Sequence, residues 1–133
     1  MKTSYYGQLI NIPSGAICIS QGVPKYADNI PQYKPLAPSW AMQKLPITPY
    51  AEAFKAQLAR LDPQECWLDL QKLAGEAEPI ILCYEKPVDH CHRHLVATWF
   101  EKNLNVVIPE FTFEHLTRTG MIMYEKIAQQ EMI

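Results

Sequence analysis

Residues 83–94 collect most of the side-chain types that catalyse reactions or bind ions in proteins. The segment CYEKPVDHCHRH offers two thiols, two carboxylates, three histidines, one lysine and one arginine. It follows an apolar run and precedes a helical pattern. An anion site, a cysteine-based catalytic centre and a metal centre would all draw on these residue types, and so would a network of ion pairs that only supports the fold.

The basic side chains of this segment favour an anion site. A helix N-terminus carries partial positive charge, so bases are disfavoured there. Lys86 and Arg93 nevertheless stand at the start of a predicted helix, among the histidines. A bound anion would relieve this conflict by accepting hydrogen bonds from backbone N–H groups and from both cations. In the structural alternative, Glu85 holds Arg93 and Asp89 caps the helix.

The two cysteines of the segment favour nucleophilic catalysis. Cys91 is predicted near the helix start, where cationic neighbours favour the reactive thiolate, and Cys83 ends the apolar run. Glu85 or His92 would then transfer protons. The competing interpretation makes both cysteines small buried hydrophobic residues, because cysteine is among the most buried residue types.

A metal site fits the spacing poorly. Seven residues separate Cys83 from Cys91, whereas structural zinc sites separate paired cysteines by about two to four. The adjacent side chains of Cys91 and His92 would point about 100° apart on a helix. We therefore predict no metal and no other cofactor.

The elements around this segment predict an α/β fold. Short β-branched runs predict strands at residues 15–20, 79–83 and 105–108, with an edge strand around 5–10. Apolar residues at helical spacing predict helices at residues 51–61, 62–75 and about 89–103, the last burying Leu95 and Trp99 with Val96 and Phe100 beside them. Asp62 is predicted to cap the second of these helices, and Gly75 to end it. This alternation is typical of a small Rossmann-like three-layer domain with a short, mostly parallel sheet, here followed by a C-terminal helix.

A proline- and aromatic-rich stretch, residues 21–50, separates the first of these strands from the first helix. It holds six of the eleven prolines, so we expect little regular structure there. A connection of this length is often a functional loop. Ligands of open α/β sheets bind beyond the carboxyl ends of the strands, and we expect this loop to cover such a site with the ligand-binding residues Lys25, Tyr26, Tyr33 and Lys34.

Length and composition predict a single domain spanning residues 1–133, with 48% hydrophobic residues. The sequence lacks both an apolar run long enough for a membrane span and a signal-peptide pattern, so we expect a cytoplasmic protein without membrane association. A chain of this size with its own core does not need disulfides, and we expect free thiols at all four cysteines.

Charge and apolar residues are unevenly distributed along the chain. The net charge is −2, but residues 1–60 carry six basic and two acidic side chains (+4) and residues 61–133 carry six and twelve (−6). The N-terminal half is therefore the better place to meet a phosphate. Residues 114–133 are predicted to be helical, and their surplus of methionine and isoleucine favours a homodimer through this tail.

The quoted motif resembles the signature of the family called domain of unknown function 488. In that signature an apolar strand leads into Cys-x-Glu-Lys, a short acidic spacer and Cys-His-Arg at a helix start. The segments SYYGQLINIP, ISQGVPKY and YKPLAP are also similar to short members of the family, and the resemblance extends to about residue 110. The matching motif positions are Cys83, Glu85, Lys86, Cys91, His92 and Arg93.

The resemblance implies a Rossmann-like fold and no established activity. The turn is similar to those of rhodanese-type and cysteine-phosphatase domains, in which a strand-end cysteine, a loop and an arginine enclose an oxyanion. Here ten positions separate Cys83 from Arg93, and the loop lacks the glycines that let backbone N–H groups converge on an anion.

Two functional hypotheses follow. The first is a site for an anionic, phosphate-bearing ligand, a nucleotide or nucleic acid, formed by the motif residues and covered by the 21–50 loop. Its enzymatic version uses Cys83 or Cys91 as nucleophile, with Lys86 and Arg93 stabilising negative charge. The alternative is a non-catalytic interaction module with a structural Glu–Arg network and a self-associating tail.

Overall fold

The computed structural model describes residues 1–6, 14–23, 25, 29–83 and 92–110. Its strands are β1 (Lys2–Tyr5), β2 (Ala16–Cys18) and β3 (Ile80–Cys83). Its helices are α1 (Trp40–Gln43), α2 (Ile47–Ala59), α3 (Pro63–Ala74) and α4 (His92–Leu104), and a 3₁₀ turn spans Lys34–Leu36. The predicted α/β fold is confirmed, while the predicted C-terminal helix falls outside the described residues.

The sheet is parallel, with the strand order β1-β3-β2. Single parallel bridges extend it on both sides, from Thr3 to Glu110 and from Cys18 to Gln32. The strand predicted at residues 105–108 is wrong, because that stretch has no strand structure and the backbone N–H of Ile108 donates to the Glu101 carboxylate at 2.9 Å. Pairing with β1 begins only at residues 109–110.

Two helices begin where the sequence places proline. Asp62 caps α3 as predicted, since its Oδ1 accepts hydrogen bonds from the backbone N–H groups of Gln64 and Glu65 at 3.0 and 3.4 Å. Helix α2 begins four residues before the predicted position and takes Pro49 into its first turn. Proline is tolerated there because first-turn N–H groups lack intrahelical acceptors. The 21–50 stretch is consequently more regular than predicted.

The core lies on both faces of the sheet. On one face, Ile17, Ile19 and Ile81 pack with buried side chains of α2, α3 and α4. On the other face, a smaller cluster around Cys18 and Leu82 contains no residue of the four described helices. None of the helices in the described ranges is long and apolar enough to cross a bilayer.

Helix α4 buries the flanking residues of its predicted face more deeply than the central ones. Val96 and Phe100 are fully buried, but Leu95 and Trp99 are only half-buried beside a groove that faces α2. The buried stripe instead continues towards the helix start through Arg93. Hydrophobic periodicity predicted Val96 and Phe100 but not the burial of Arg93, because the first turn of the helix is made of polar residues.

Candidate functional site

The carboxyl ends of the three strands meet the start of α4 at one edge of the sheet. Tyr5, which ends β1, is the register partner of Cys83, which ends β3. The backbone N–H of Ile19, just past β2, donates to the Leu82 carbonyl at 3.0 Å. Parallel pairing thus aligns the ends of the three strands. Contacts of Arg93 and His92 bring the start of α4, the other described part of the predicted site, to the same edge.

Arg93 is the centre of a buried polar network at this edge. Its side chain is fully buried, and its Nε and Nη2 groups donate to the two carboxylate oxygens of Glu110 at 3.2 and 2.9 Å. The hydroxyl of Thr3 donates to the same carboxylate at 2.5 Å. The guanidinium also lies over the ring of Tyr5, 5.4 Å from its centroid. A buried charge is tolerated only when it is paired in this way.

The third arm of the guanidinium reaches the end of β3. Arg93 Nη1 donates to Cys83 Sγ at 2.9 Å, and the Cys83 side chain is fully buried. Cys83 is disulfide-bonded, whereas Cys18 and Cys66 are free thiols. The expectation of four free thiols is therefore wrong for Cys83. That expectation weighed only the average need of a domain for disulfides.

His92 is also buried, and its environment removes its charge. Its Nε2 donates to the Ile19 carbonyl, and the edge of the Phe54 ring contacts the imidazole. Burial is the main cause that lowers the pKa of His92 to about 4; the positive charge of Arg93 acts in the same direction, and the Ile19 hydrogen bond opposes both. At neutral pH the imidazole is therefore uncharged and fastens the start of α4 to the end of β2.

The residues predicted to cover the site lie in different surroundings. Lys34 is exposed, and its Nζ donates to the Gln21 carbonyl at 2.6 Å, which places it beside the chain that leaves β2. Lys25 is exposed as well. Tyr33 instead donates its hydroxyl to Asp69 of α3 at 2.7 Å, and burial raises its pKa. The predicted residues Glu85, Lys86, Cys91 and Tyr26 lie outside the described residues.

Sequence reasoning missed Glu110, the partner of Arg93. Glu110 is separated from Arg93 by 17 positions and directly follows Pro109. No sequence pattern separates a buried carboxylate at such a position from a surface one. A buried arginine needs a carboxylate partner, so the burial of Arg93 could have indicated that such a partner exists, but not which residue it is.

A second polar contact at the same edge also went unpredicted. The hydroxyls of Tyr6 and Ser20 are 3.1 Å apart and buried, and Ser20 donates to the Gly22 carbonyl at 2.7 Å. These bonds connect the chain after β1 to the chain after β2. In the part of the chain that the structure describes, no three histidine, cysteine or acidic side chains are grouped closely enough to hold a metal ion.

Comparison with protein families gives a match over most of the chain. Residues 17–104 match the model of the family DUF488-N3a, described as the active DUF488-N3 subclade. No curated protein and no solved structure matches the chain. The match covers the third strand, all but the first residue of the second strand and the four described helices, and it ends before Glu110.

Proposed function

The chain belongs to the DUF488 family, and on that basis we propose that it binds an anionic, phosphate-bearing ligand at the carboxyl edge of its sheet and acts on it there. A nucleotide or the end of a nucleic acid has the required chemistry. The observation that carries this proposal is the position of exposed Lys34 beside the end of β2, at the edge where α4 begins. The description of the matched subclade as active supports a catalytic role.

The electrostatics of this edge support an anionic ligand. Ligands of open α/β sheets bind beyond the carboxyl ends of the strands. The first turn of α4, which the structure describes from His92 onward, holds no acidic residue that would compete with an anion for the helix dipole. Lys25 and Lys34 add two exposed positive charges, and Lys86 adds a third in sequence.

The buried network changes the role that Arg93 has in this proposal. Its guanidinium already donates to Glu110 and Cys83, and the Glu110 carboxylate offsets its charge. Arg93 therefore holds the cysteine and the helix start in place, and the exposed lysines contact the ligand. Cys83 is fully buried and disulfide-bonded, which excludes it as the nucleophile. In the catalytic step the reduced thiolate of Cys91 therefore serves as nucleophile, and Glu85 exchanges protons.

Replacing Lys25 and Lys34 with alanine tests the proposal. A single-stranded oligonucleotide with a 5′-phosphate serves as the probe, and the same oligonucleotide without the phosphate serves as its control. We expect the double variant to bind the phosphorylated probe about two- to thirtyfold more weakly, because each exposed ion pair contributes roughly 0.2–1 kcal/mol. Fluorescence anisotropy measures the affinity.

The matched control removes two lysines from the opposite edge. Lys72 and Lys102 lie in the last turns of α3 and α4, and Lys102 is about 15 Å along the helix from the start of α4. Their double alanine variant should bind the probe like the unmodified protein. Equal binding by both double variants, or no preference for the 5′-phosphate, would contradict the proposal.

The buried Arg93–Glu110 pair favours a second candidate function, a non-catalytic interaction module. In this candidate the motif supports the fold, and a partner binds elsewhere on the surface. The charge of Arg93 is paired without any ligand, since Glu110 accepts two guanidinium hydrogen bonds and one from Thr3. A folded protein in which replacing both motif cysteines leaves every ligand and partner interaction unchanged would favour this candidate.

A further inference from the structure

The contact between Arg93 and Cys83 has a use that does not depend on a phosphate ligand. We propose that Cys83 is the buried half of a redox-active disulfide, and that Arg93 favours its reduction by stabilising the Cys83 thiolate. Cys18 and Cys66 are free thiols and the sequence has four cysteines, so the proposed partner is Cys91. The inference goes beyond the proposed function, because thiol–disulfide exchange can be measured without any ligand.

The hydrogen bond from Arg93 discriminates between the two redox states. A disulfide sulfur is a weak acceptor, whereas a thiolate accepts a charge-assisted hydrogen bond from a guanidinium. The 2.9 Å contact from Nη1 to Sγ therefore contributes most after the S–S bond has broken. The same hydrogen bond stabilises the oxidised form only slightly, because the sulfur of a disulfide is a weak acceptor.

The network holds the donor in place in advance. Glu110 occupies Nε and Nη2 of Arg93, which leaves Nη1 directed at the sulfur. Thr3 donates to the same carboxylate and so disperses part of its negative charge. Because the whole group is buried, water does not screen the attraction between the guanidinium and a thiolate.

Burial also determines which sulfur is attacked. Cys83 is fully buried and is therefore a poor target for an incoming thiolate, so the proposed attack is on the other sulfur of the disulfide, that of Cys91. A new S–S bond forms there, the old bond breaks, and its electron pair leaves on Cys83 as a thiolate beside Arg93. The better-stabilised thiolate is the better leaving group.

The reductant in this reaction is a dithiol. Its second thiol displaces Cys91 from the mixed disulfide, so the dithiol is oxidised to a cyclic disulfide and loses two protons. One proton is taken up by Cys91 and one passes to solvent, because Cys83 stays ionised. The protein disulfide gains the two electrons that the dithiol loses.

The other two described cysteines provide an internal contrast. Burial raises the pKa of Cys18 and of Cys66, which keeps both in the unreactive thiol form. Neither lies against a guanidinium in the contacts that the structure gives for them. Both should stay reduced in redox buffers that oxidise Cys83.

Redox titration of the whole chain in glutathione buffers tests the proposal, with thiols trapped by alkylation and located by mass spectrometry. We expect Cys83 to pass reversibly between disulfide and thiol in the folded protein. The combined substitution Arg93→Met and Glu110→Leu removes the donor without leaving a buried charge. It should lower the equilibrium constant for reduction about tenfold or more, as expected for losing a hydrogen bond to a charged group.

A second variant keeps the experiment decisive if the double variant does not fold. Arg93→Lys retains the positive charge but replaces the fork of donors that serves Glu110 and Cys83 together, so reduction should again become less favourable. Cys66→Ser should leave the constant unchanged, and Cys91→Ser should abolish the disulfide. A Cys83 that stays a thiol in oxidising buffer, or a constant that neither Arg93 variant changes, would overturn the proposal. Oligonucleotide binding reports separately on the proposed function.

Discussion

Two neighbouring residues at the start of α4 are buried in different charge states. His92 gives up its charge, since burial lowers its pKa to about 4. The buried charge of Arg93 is instead balanced by the carboxylate of Glu110. The same turn therefore contains one group that is uncharged at neutral pH and one whose charge is paired.

The low pKa of His92 predicts an acid-sensitive stability. Between pH 6.5 and about 4 the unfolded chain protonates this histidine and the folded chain does not, so stability falls as the pH is lowered through that window. Below about pH 4 both states carry the proton and the loss attributable to His92 stops. It should amount to on the order of 3 kcal/mol.

The variant His92→Gln isolates this contribution. Glutamine keeps an N–H donor for the Ile19 carbonyl but does not titrate. Urea unfolding of both proteins at pH 7 and pH 4.5 should show a smaller acid-induced loss in the variant. An equal loss in the two proteins would mean that another group is responsible.

At the residue scale, the sequence predicted the place of the site better than its contacts. The motif identified Cys83, His92 and Arg93, and the structure brings all three to the carboxyl edge of the sheet. The motif could not identify Glu110, because the contact between Arg93 and Glu110 depends on the pairing of residues 109–110 with β1. Long-range pairing of this kind leaves no periodic trace in a sequence.

At the scale of elements, local signals predicted the starts and ends of helices and strands where a single residue decides them. The cap at Asp62 and the stop at Gly75 were read correctly, because capping and positive φ depend on side chains within a few positions. The strand prediction for residues 105–108 was wrong, because a β-branched composition does not show whether a neighbouring strand is available for pairing.

The entry to β2 gives a prediction at this scale. Gly15 has φ +88°, and a Cβ at this position would lie 2.2 Å from the Glu78 carbonyl oxygen, just before β3. Gly15→Ala should therefore reduce stability by about 2–4 kcal/mol, through backbone strain and overpacking together. Gly15 cannot move aside easily, since its own carbonyl accepts the Ile80 N–H at 2.9 Å.

Gly75→Ala is the matched control. Gly75 also has a positive φ, 69°, but a Cβ there would meet nothing within 4 Å. Its loss of stability should be about 1–2 kcal/mol, the cost of the backbone conformation alone. Chemical denaturation compares the two variants, and equal losses would show that the close approach to Glu78 is unimportant.

For the whole molecule, charge is unevenly distributed along the sequence. Lys34 belongs to the positively charged N-terminal half and lies beside the end of β2, whereas the negatively charged half contributes Glu110 to the same edge in buried, paired form. Burial and pairing remove this carboxylate from the surface of that edge. Whole-chain net charge alone did not indicate this arrangement.

The apolar tail gives a prediction for the assembled molecule. We propose that residues 120–133 hold two copies of the chain together, so deleting them should convert a homodimer into a monomer in light-scattering measurements. The control replaces Trp40 and Ile47, which are exposed on the described surface, with serine and should leave the dimer intact. A full-length chain that is monomeric at all concentrations would contradict the proposal.

The contact between Thr3 and Glu110 determines how short an autonomously folding fragment can be. Residues 17–104 carry the family match, yet Thr3 and Glu110 lie on either side of that range. A fragment trimmed to the match would contain Arg93 without its carboxylate, and an unpaired buried charge costs roughly 3–5 kcal/mol, a large share of the stability of a small domain. The boundaries of sequence similarity are therefore narrower than the boundaries of the folding unit.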